Sequence, residues 1–136
     1  MPNRDRSALY PPFAAQLADL ESRLLKELLP FVLFMGLRTW AEQDALYAQG
    51  RTAPGRKVTN AGPGESIHNY HCAWDFVPLV NGKAVWDDDD LWQRCGAIAR
   101  EVGAEWGGDW QRFKDKPHCQ FTNGLTLDQL KAGAHP

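Results

Sequence analysis

The sequence predicts a single α+β domain in which a small antiparallel sheet is flanked by helices. Three observations support this prediction. The chain has 136 residues, of which 43% are apolar, and this is enough to build one hydrophobic core. Segments with helical spacing of apolar residues alternate with short apolar runs that are typical of strands. The segment CAWDFVPLVNGKAVW contains two such runs separated by Asn-Gly, which is the strongest short signal for an antiparallel hairpin.

The first part of the chain predicts a helix followed by a buried strand. Residues 13–29 carry leucines at helical spacing, and Pro30 should end this helix because proline cannot continue one. These leucines are Leu17, Leu20, Leu24, Leu25 and Leu28. Residues 31–37, FVLFMGL, form a short apolar run bounded by proline and glycine, which predicts a buried strand.

A second helix and a long loop follow this strand. Residues 39–50 have the composition of a helix, with Thr39 as a cap at the start and Gly50 as the stop. Residues 51–66, RTAPGRKVTNAGPGES, are rich in glycine, proline, asparagine and threonine. They predict a loop of about 15 residues, and loops of that length in compact domains are usually functional or mobile.

The second half of the chain predicts a hairpin, a helix, a strand and a short closing helix. After the Asn-Gly hairpin, residues 87–104 begin with four aspartates, which the positive end of a helix dipole favours. A strand is expected near residues 118–121, and residues 126–136 form a short helix and tail. No repeat or linker divides the chain, so a single domain is expected to span residues 1–136.

The charge and the length of the apolar runs argue against several classes of partner. The net charge is −2, so no strong basic field points to nucleic acid. No apolar run reaches the roughly 18 residues of a membrane span, so no membrane insertion is expected. The N-terminal segment MPNRDRSALYPPF lacks the apolar stretch of a secretory signal. Three cysteines, an odd number, fit reduced thiols, and we expect a monomer made in the cytoplasm.

The stretch SIHNYHCAWDF is rich in residue types that bind metals. It contains His68, His71 and Asp75, and strand alternation places Asp75 on the face opposite Trp74. An aspartate inside an apolar strand is costly to bury unless it meets a metal, an arginine or several donors. Catalytic zinc takes three protein ligands from histidine, carboxylate or cysteine and keeps a fourth position for water. The spacing alone also fits polar residues on the surface of a hairpin.

A second cluster, DKPHCQ, places Asp115 three residues before His118. A carboxylate just before a metal ligand can exchange a proton with the attacking water without binding the metal itself. An ordinary loop aspartate is the alternative interpretation. Arg38 directly follows the predicted buried strand, where it could stabilise an oxyanion or simply lie at a strand end in solvent. Gln43 and Arg51 are candidate substrate contacts, with surface positions as the alternative.

The order of these segments is more specific than any one of them. GLRTWAEQDALYAQGR, SIHNYHCAWD, EWGGDW and DKPHCQF follow one another within residues 30–125. This order resembles the zinc peptidases that cut peptidoglycan stem peptides, namely the D-Ala-D-Ala carboxypeptidases and dipeptidases and the L-alanyl-D-glutamate endopeptidases, whose fold resembles the hedgehog signalling domain. That family has the pattern Ser-x-His-x-x-Gly-x-Ala-x-Asp, followed later by Glu-x-x-His or Asp-x-x-His. The positions that match it are Ser66, His68, Ala73, Asp75, Asp115 and His118.

The resemblance implies a role for each matched side chain. The residues implied as ligands of a Zn²⁺ ion are His68, Asp75 and His118. Asp115 would be the general base and acid, and Arg38 would stabilise the carbonyl oxygen in the transition state. Ser66 would help to hold the substrate. Trp106 and Trp110 could form walls of the cleft, although core packing explains either tryptophan as well.

His71 is the one departure from the family pattern, which has glycine there. Glycine indicates a left-handed backbone or a close approach, and histidine tolerates the left-handed region better than most residues. His71 could therefore be a turn residue, a wall of the cleft or an additional metal ligand. Cys72 and Cys119 should point away from the metal and pack as buried thiols.

The length and the EWGGDW segment resemble most closely the L-alanyl-D-glutamate endopeptidases that serve as single-domain phage endolysins. The implied substrate is the peptidoglycan stem peptide. The protein would collect in the cytoplasm of the host and reach the wall once the membrane is opened. Three alternatives remain: a D-Ala-D-Ala carboxypeptidase or dipeptidase, a zinc-stabilised binding module without activity, and a metal-free domain that matches the motifs by chance.

Overall fold

The computed structural model of the chain describes residues 4–27 and 29–136. In that part of the chain the helices are α1 (Pro11–Lys26), α2 (Trp40–Ala48), α3 (Asp89–Glu101) and α4 (Leu127–Lys131). The strands are β1 (Phe31–Met35), β2 (Ala73–Val80), β3 (Lys83–Ala84), β4 (Glu105–Trp106) and β5 (His118–Gln120). No helix in the described ranges is long and apolar enough to cross a membrane.

The strands form one antiparallel sheet in the order β1-β2-β5-β4, with β3 paired to the far end of β2. The centre of the sheet is β2, and its Asp75 lies opposite His118 of β5 and Met35 of β1. The predicted α+β architecture with a small antiparallel sheet is confirmed. The pairing of β2 with β5 brings together the two motifs that are most distant in the sequence.

Helices α1 and α3 cover one face of this sheet. Trp74 and Phe76 of β2 are fully buried, and their rings lie 5.8 Å from Phe13 of α1 and 5.5 Å from Trp92 of α3. Because successive strand residues point to opposite faces, Asp75 between them faces away from this core. The apolar packing thus fixes which face of β2 carries the aspartate.

Helix α1 occupies a different range from the predicted residues 13–29. It begins at Pro11 and ends at Lys26. Prolines are favoured in the first turn, where their missing N–H would have no helical partner, so the two prolines at positions 11 and 12 begin the helix instead of preceding it. Leu28, counted in the leucine pattern, lies outside the described residues.

Local signals predicted α2 and the hairpin correctly. The Thr39 side chain accepts from Glu42 N–H at 3.1 Å, and the Glu42 carboxylate accepts from Thr39 N–H at 3.0 Å, which makes a capping box. Gly50 follows the helix with φ +78°. Asn81 and Gly82 at the hairpin tip have φ of 53° and 75°, as the tight hairpin turn requires.

The other predicted elements also form. Helix α3 starts after Asp88, whose side chain caps it by accepting from Leu91 N–H at 3.0 Å. Strand β5 and the short closing helix α4 lie where they were expected, whereas β4 was not predicted. Residues 51–66 form a loop that contains neither helix nor strand. The Gln43 amide fastens this loop to α2 by donating to Ala61 O at 2.7 Å.

Candidate active site

Three side chains that can bind a metal meet at the surface of the sheet opposite the helical core. Asp75 Oδ1 lies 3.3 Å from His68 Nε2 and 3.4 Å from His118 Nδ1. One ligand atom from each residue lies within 4.8 Å of the others. Asp75 and His118 face each other across β2 and β5, and His68 lies in a short 3₁₀ turn, Ile67–Tyr70, just before β2.

The donor set and its surroundings fit a zinc ion. Two imidazole nitrogens and one carboxylate are a ligand set of catalytic zinc, and ligands at about 2.0–2.1 Å from one tetrahedral ion lie roughly 3.3–3.4 Å apart. Among the described residues, Asp75 Oδ1 is buried and has no hydrogen-bond partner. Burying a carboxylate oxygen without a partner costs free energy, and a bound cation would supply the missing partner.

The remaining nitrogen of each histidine is engaged on the side away from the aspartate. His68 Nδ1 lies 2.9 Å from Gly36 O, and His118 Nε2 lies 2.8 Å from Gln120 Oε1. Such outer hydrogen bonds hold the rings of metal-binding histidines in place. Both histidines are buried, so the orientation of the cluster is set before any metal arrives.

The charges in the cluster favour an ionised aspartate. Burial alone would raise the pKa of Asp75, but His118 and His68 outweigh it and hold this pKa well below its usual range. Burial would lower the pKa of His118, yet the contact with Asp75 reverses the direction and raises it. The lowered pKa favours the ionised carboxylate, which is the form that can bind a cation.

A cleft of about 510 Å³ opens above His68, Asp75 and His118. Of the residues predicted for the site, those that line it are Arg38, Ser66, His68, Asp75, Trp110, Asp115 and His118. The ring of Trp110 lies 5.3 Å from that of His118 and forms a wall. Trp106, the other tryptophan considered, is 1% exposed and belongs to the core.

Asp115 is held at the cleft by a tight turn that also positions His118. Its carbonyl oxygen accepts from His118 N–H at 3.1 Å, and its own N–H donates to Gly107 O at 3.0 Å. Desolvation raises the pKa of Asp115, and the neighbouring negative charge of Asp75 adds to this effect, while His118, His68 and Arg38 oppose it. A carboxylate with a raised pKa, beside a metal cluster, is suited to proton transfer.

Arg38 reaches the cleft on a fixed side chain. Its Nη1 donates to Gln43 Oε1 at 2.8 Å, and its Nη2 lies 2.9 Å from the sulfur of Met35. Its backbone N–H donates to His68 O at 3.0 Å, which ties it to the turn that carries His68. Burial lowers the pKa of Arg38, while Asp75, Glu42 and Asp115 oppose this shift, and an arginine stays charged in proteins.

Three of the predicted substrate contacts bond to the protein itself. The Ser66 hydroxyl accepts from His68 N–H at 3.3 Å and caps the turn that carries His68, while still lining the cleft. Gln43 is fully buried between Arg38 and Ala61 O. Arg51 lies outside the residues that line the cleft, and its Nη1 donates to Tyr47 O at 2.7 Å and Thr59 O at 3.1 Å.

His71 is a turn residue. It has the left-handed φ of 64°, which the family pattern accommodates with glycine. Its Nδ1 lies 2.6 Å from Ala8 O, its carbonyl accepts from Tyr10 N–H at 2.7 Å, and it lines a separate pocket near the N-terminal segment. It is not part of the three-residue metal cluster found among the described residues. Cys72 and Cys119 are fully buried free thiols, as predicted.

Several lining residues were not singled out from the sequence. They are Met35, Leu46, Val58, Thr59, Ala61, Glu65, Ile67 and Gln120. Gln120 had a usable signal, because it lies two residues after His118 in a strand and therefore points to the same face. The loop residues had none, since their approach to the cleft depends on how residues 51–66 fold back.

Comparison with known sequences shows similarity to peptidases. Residues 59–121 match the model of a peptidase family described as D-alanyl-D-alanine carboxypeptidase. The chain is 41% identical over 120 residues to the peptidoglycan L-alanyl-D-glutamate endopeptidase CwlK of Bacillus subtilis (strain 168), an alignment that covers 81% of this chain and 72% of that protein. It is 34% identical over 110 residues to the L-alanyl-D-glutamate peptidase of Listeria phage A118, covering 72% of this chain but 39% of the phage protein.

Solved structures show the same fold. The L-Ala D-Glu endopeptidase ChiX of Serratia marcescens superposes with a TM-score of 0.65 at 24% identity, over 86% of this chain and 83% of that one. The D,D-pentapeptidase VanY in complex with Zn(II) superposes with a TM-score of 0.61 at 12% identity, over 91% and 76% of the two chains. Given the identity to CwlK over most of both sequences, the chain belongs to the peptidase family that its two motifs predicted, the family that includes the peptidoglycan L-alanyl-D-glutamate endopeptidase CwlK.

Proposed function

We propose that the protein is a zinc-dependent endopeptidase that hydrolyses the L-alanyl-D-glutamate bond of peptidoglycan stem peptides. The observation that carries this proposal is the cluster of His68, Asp75 and His118 in one cleft with Asp115 and Arg38. The names of CwlK, of the phage A118 peptidase and of ChiX all specify this bond. VanY, a relative in fold, holds Zn(II).

Each of these residues has a distinct role in the proposed reaction. A zinc ion, when bound, supplies Lewis acidity that polarises the scissile carbonyl and makes the attacking water more acidic. The Asp115 carboxylate accepts a proton from that water and delivers it to the departing nitrogen of D-Glu. Arg38 places its positive charge beside the oxygen that becomes negative as the carbonyl is attacked. The fixed bonds of Arg38 to Gln43 and Met35 mean that little reorganisation is needed during the reaction.

We assign the substrate contacts to side chains that line the cleft. Ser66 and Trp110 line the cleft and contact the stem peptide. The free carboxylate of D-Glu is a partner for a guanidinium, and Arg38 is the arginine that reaches the cleft. Gln43 contributes by holding Arg38, and Arg51 by holding the loop of residues 51–66 against α2.

Product analysis with matched variants tests the reaction. Purified protein is incubated with peptidoglycan, with and without a chelator, and the new amino termini are identified. We expect new N-terminal D-Glu that disappears with the chelator, in Asp115→Asn and in His118→Ala. Asp128→Asn changes a carboxylate in the remote helix α4 and should leave the products unchanged. Full activity of Asp115→Asn would refute its role as the base.

The same digestion also tests the alternative substrate. The family description names a D-alanyl-D-alanine carboxypeptidase, and that activity would release D-Ala from the end of the stem peptide. Release of D-Ala without new N-terminal D-Glu would replace our proposal with this one. A zinc-stabilised module without activity would yield no product at all, yet it would have no use for a carboxylate such as Asp115 beside the cluster.

The proposal includes a role in lysis by a monomer. Similarity to the phage A118 peptidase supports this role. Expression in the cytoplasm of a susceptible bacterium should leave the cells intact until a membrane-permeabilising agent is added, after which the culture should clear. Clearing that is equally fast in Asp115→Asn would show that the protein's peptidase activity is not responsible. Sedimentation analysis of the same sample tests the monomer.

A further inference from the structure

A pair of side chains outside the metal cluster holds His118 in place. Gln120 follows His118 by two residues in β5, and Glu105 of β4 is its direct partner across the two strands. The Gln120 amide nitrogen donates to the Glu105 carboxylate, and Gln120 Oε1 lies 2.8 Å from His118 Nε2. The three side chains therefore form one hydrogen-bonded row from an exposed carboxylate to a buried imidazole.

The Glu105 carboxylate, at the exposed end of this row, determines which group donates and which accepts in each hydrogen bond. An ionised carboxylate can only accept hydrogen bonds, so Glu105 requires the NH₂ group of the Gln120 amide to face it. The amide oxygen must then face His118, and a carbonyl oxygen can only accept. A neutral His118 ring must therefore carry its proton on Nε2, which leaves the lone pair of Nδ1 directed at Asp75, 3.4 Å away.

The two histidines of the cluster depend on different kinds of partner. His68 Nδ1 faces the backbone carbonyl of Gly36 at 2.9 Å, and a carbonyl can only accept. The partner of His118 is instead an amide side chain, which can rotate and present either its oxygen or its NH₂ group. Without a carboxylate to orient it, that amide could turn and favour the wrong form of the ring.

We propose that Glu105 and Gln120 are positioning residues that fix His118 in the form with a free Nδ1 and so increase the affinity of the site for zinc. This inference rests on the proposed metal site. Partners of this kind contribute about 10–100-fold to metal affinity in other proteins. Neither residue touches the reacting atoms in this role.

Zinc affinity, measured by competition with a chelator, tests the row without reference to activity. Gln120→Leu removes the acceptor and should weaken zinc binding by about 10–100-fold. The exchange Glu105→Gln with Gln120→Glu restores the row, because the carboxylate at position 120 accepts from both His118 and the amide at position 105. We expect this double variant to bind zinc within about threefold of the original protein. Gln111→Leu, a change at an exposed glutamine outside the cleft, is the matched control.

Two results would overturn the proposal. One is zinc binding by Gln120→Leu within about threefold of the original protein. The other is a double variant that binds no more tightly than Gln120→Leu, since the loss would then come from packing and not from the row. Melting curves of the metal-free variants establish that each is folded.

The ring form of His118 can also be observed directly. Histidine ¹⁵N shifts of the metal-free protein, recorded at a pH where the ring is neutral, should show the proton on Nε2, whereas a proton on Nδ1 would refute the row. This readout needs no variant and no zinc. If the original protein binds no zinc, the proposed function fails. The ¹⁵N spectrum still tests whether the row fixes the proton of His118 on Nε2.

Discussion

At the scale of single residues, the raised pKa of Asp115 predicts the acidic side of the pH profile. A base must be ionised, and desolvation raises the pKa of Asp115 in the metal-free protein, so kcat/KM should fall in acid as this carboxylate takes up a proton. Arg38 lowers this pKa. Arg38→Gln should therefore move the acidic limb to still higher pH, in addition to lowering the plateau by about 10²–10³-fold through loss of an oxyanion donor.

The measurement is kcat/KM against pH with zinc at saturation. The fall of kcat/KM in acid then does not result from loss of the metal. Arg112→Gln removes one charge from an exposed arginine outside the cleft lining, and salt screens such a charge. That variant should keep the original profile. An acidic limb that stays in place or moves to lower pH in Arg38→Gln would contradict the assignment of Asp115 as the base.

His71 gives a second prediction at this scale. Because it lies outside the metal cluster and its φ is 64°, His71→Gly should keep both the zinc content and the activity. His71→Val should lower the free energy of unfolding by at least about 1–2 kcal/mol, since a branched side chain is strained in the left-handed region. Denaturant unfolding and metal analysis check the pair. Loss of zinc in His71→Gly would restore the ligand interpretation.

At the scale of elements, the turn that carries Asp115 depends on Gly107. A Cβ added at Gly107 would lie 2.3 Å from Asp115 O, which is too close without a shift of the turn. Gly107→Ala should therefore displace Asp115 and His118 together, lowering kcat/KM by about 100-fold, as small displacements at active sites do. At Gly124 an added Cβ meets nothing within 4 Å, and Gly124→Asn, which tolerates its φ of +80°, is the control. Equal activity of Gly107→Ala and Gly124→Asn would contradict this.

The elements that the sequence predicts well are those with local causes. The capping box of Thr39 and Glu42 and the Asn-Gly turn lie within a few residues of what they determine. The two-residue strand β4 has no such signal, because it exists only through its pairing with β5. The start of α1 was misplaced for a related reason, since a proline pair reads equally well as the end of a loop or as the first turn of a helix.

The site shows the same division between local and distant causes. The order of the two motifs pointed to His68, Asp75, Asp115 and His118, and the structure brings these four side chains together in one cleft. The role of Gln43 depends on contacts with Arg38 and with Ala61, eighteen residues further on. Its burial could not be read from a helix that otherwise lies near the surface. The left-handed turn at His71 was foreseen as one of three possibilities, and only its contact with Ala8 decides among them.

At the scale of the whole molecule, the metal should connect parts of the chain that are distant in sequence. The proposed ligands come from the turn after the long loop, from β2 and from β5, and His68 and His118 are fifty positions apart. Binding to the folded state alone adds about 4 kcal/mol when free zinc is 1,000 times its dissociation constant. For a domain of this size we expect the melting temperature to rise on the order of 10 °C.

His68→Ala should lose this rise. His135→Ala should keep it, because His135 stacks on Tyr10, with ring centroids 6.2 Å apart, beside a different pocket. Identical melting curves of the original protein with zinc and with a chelator would show that the cluster does not join these elements through a metal.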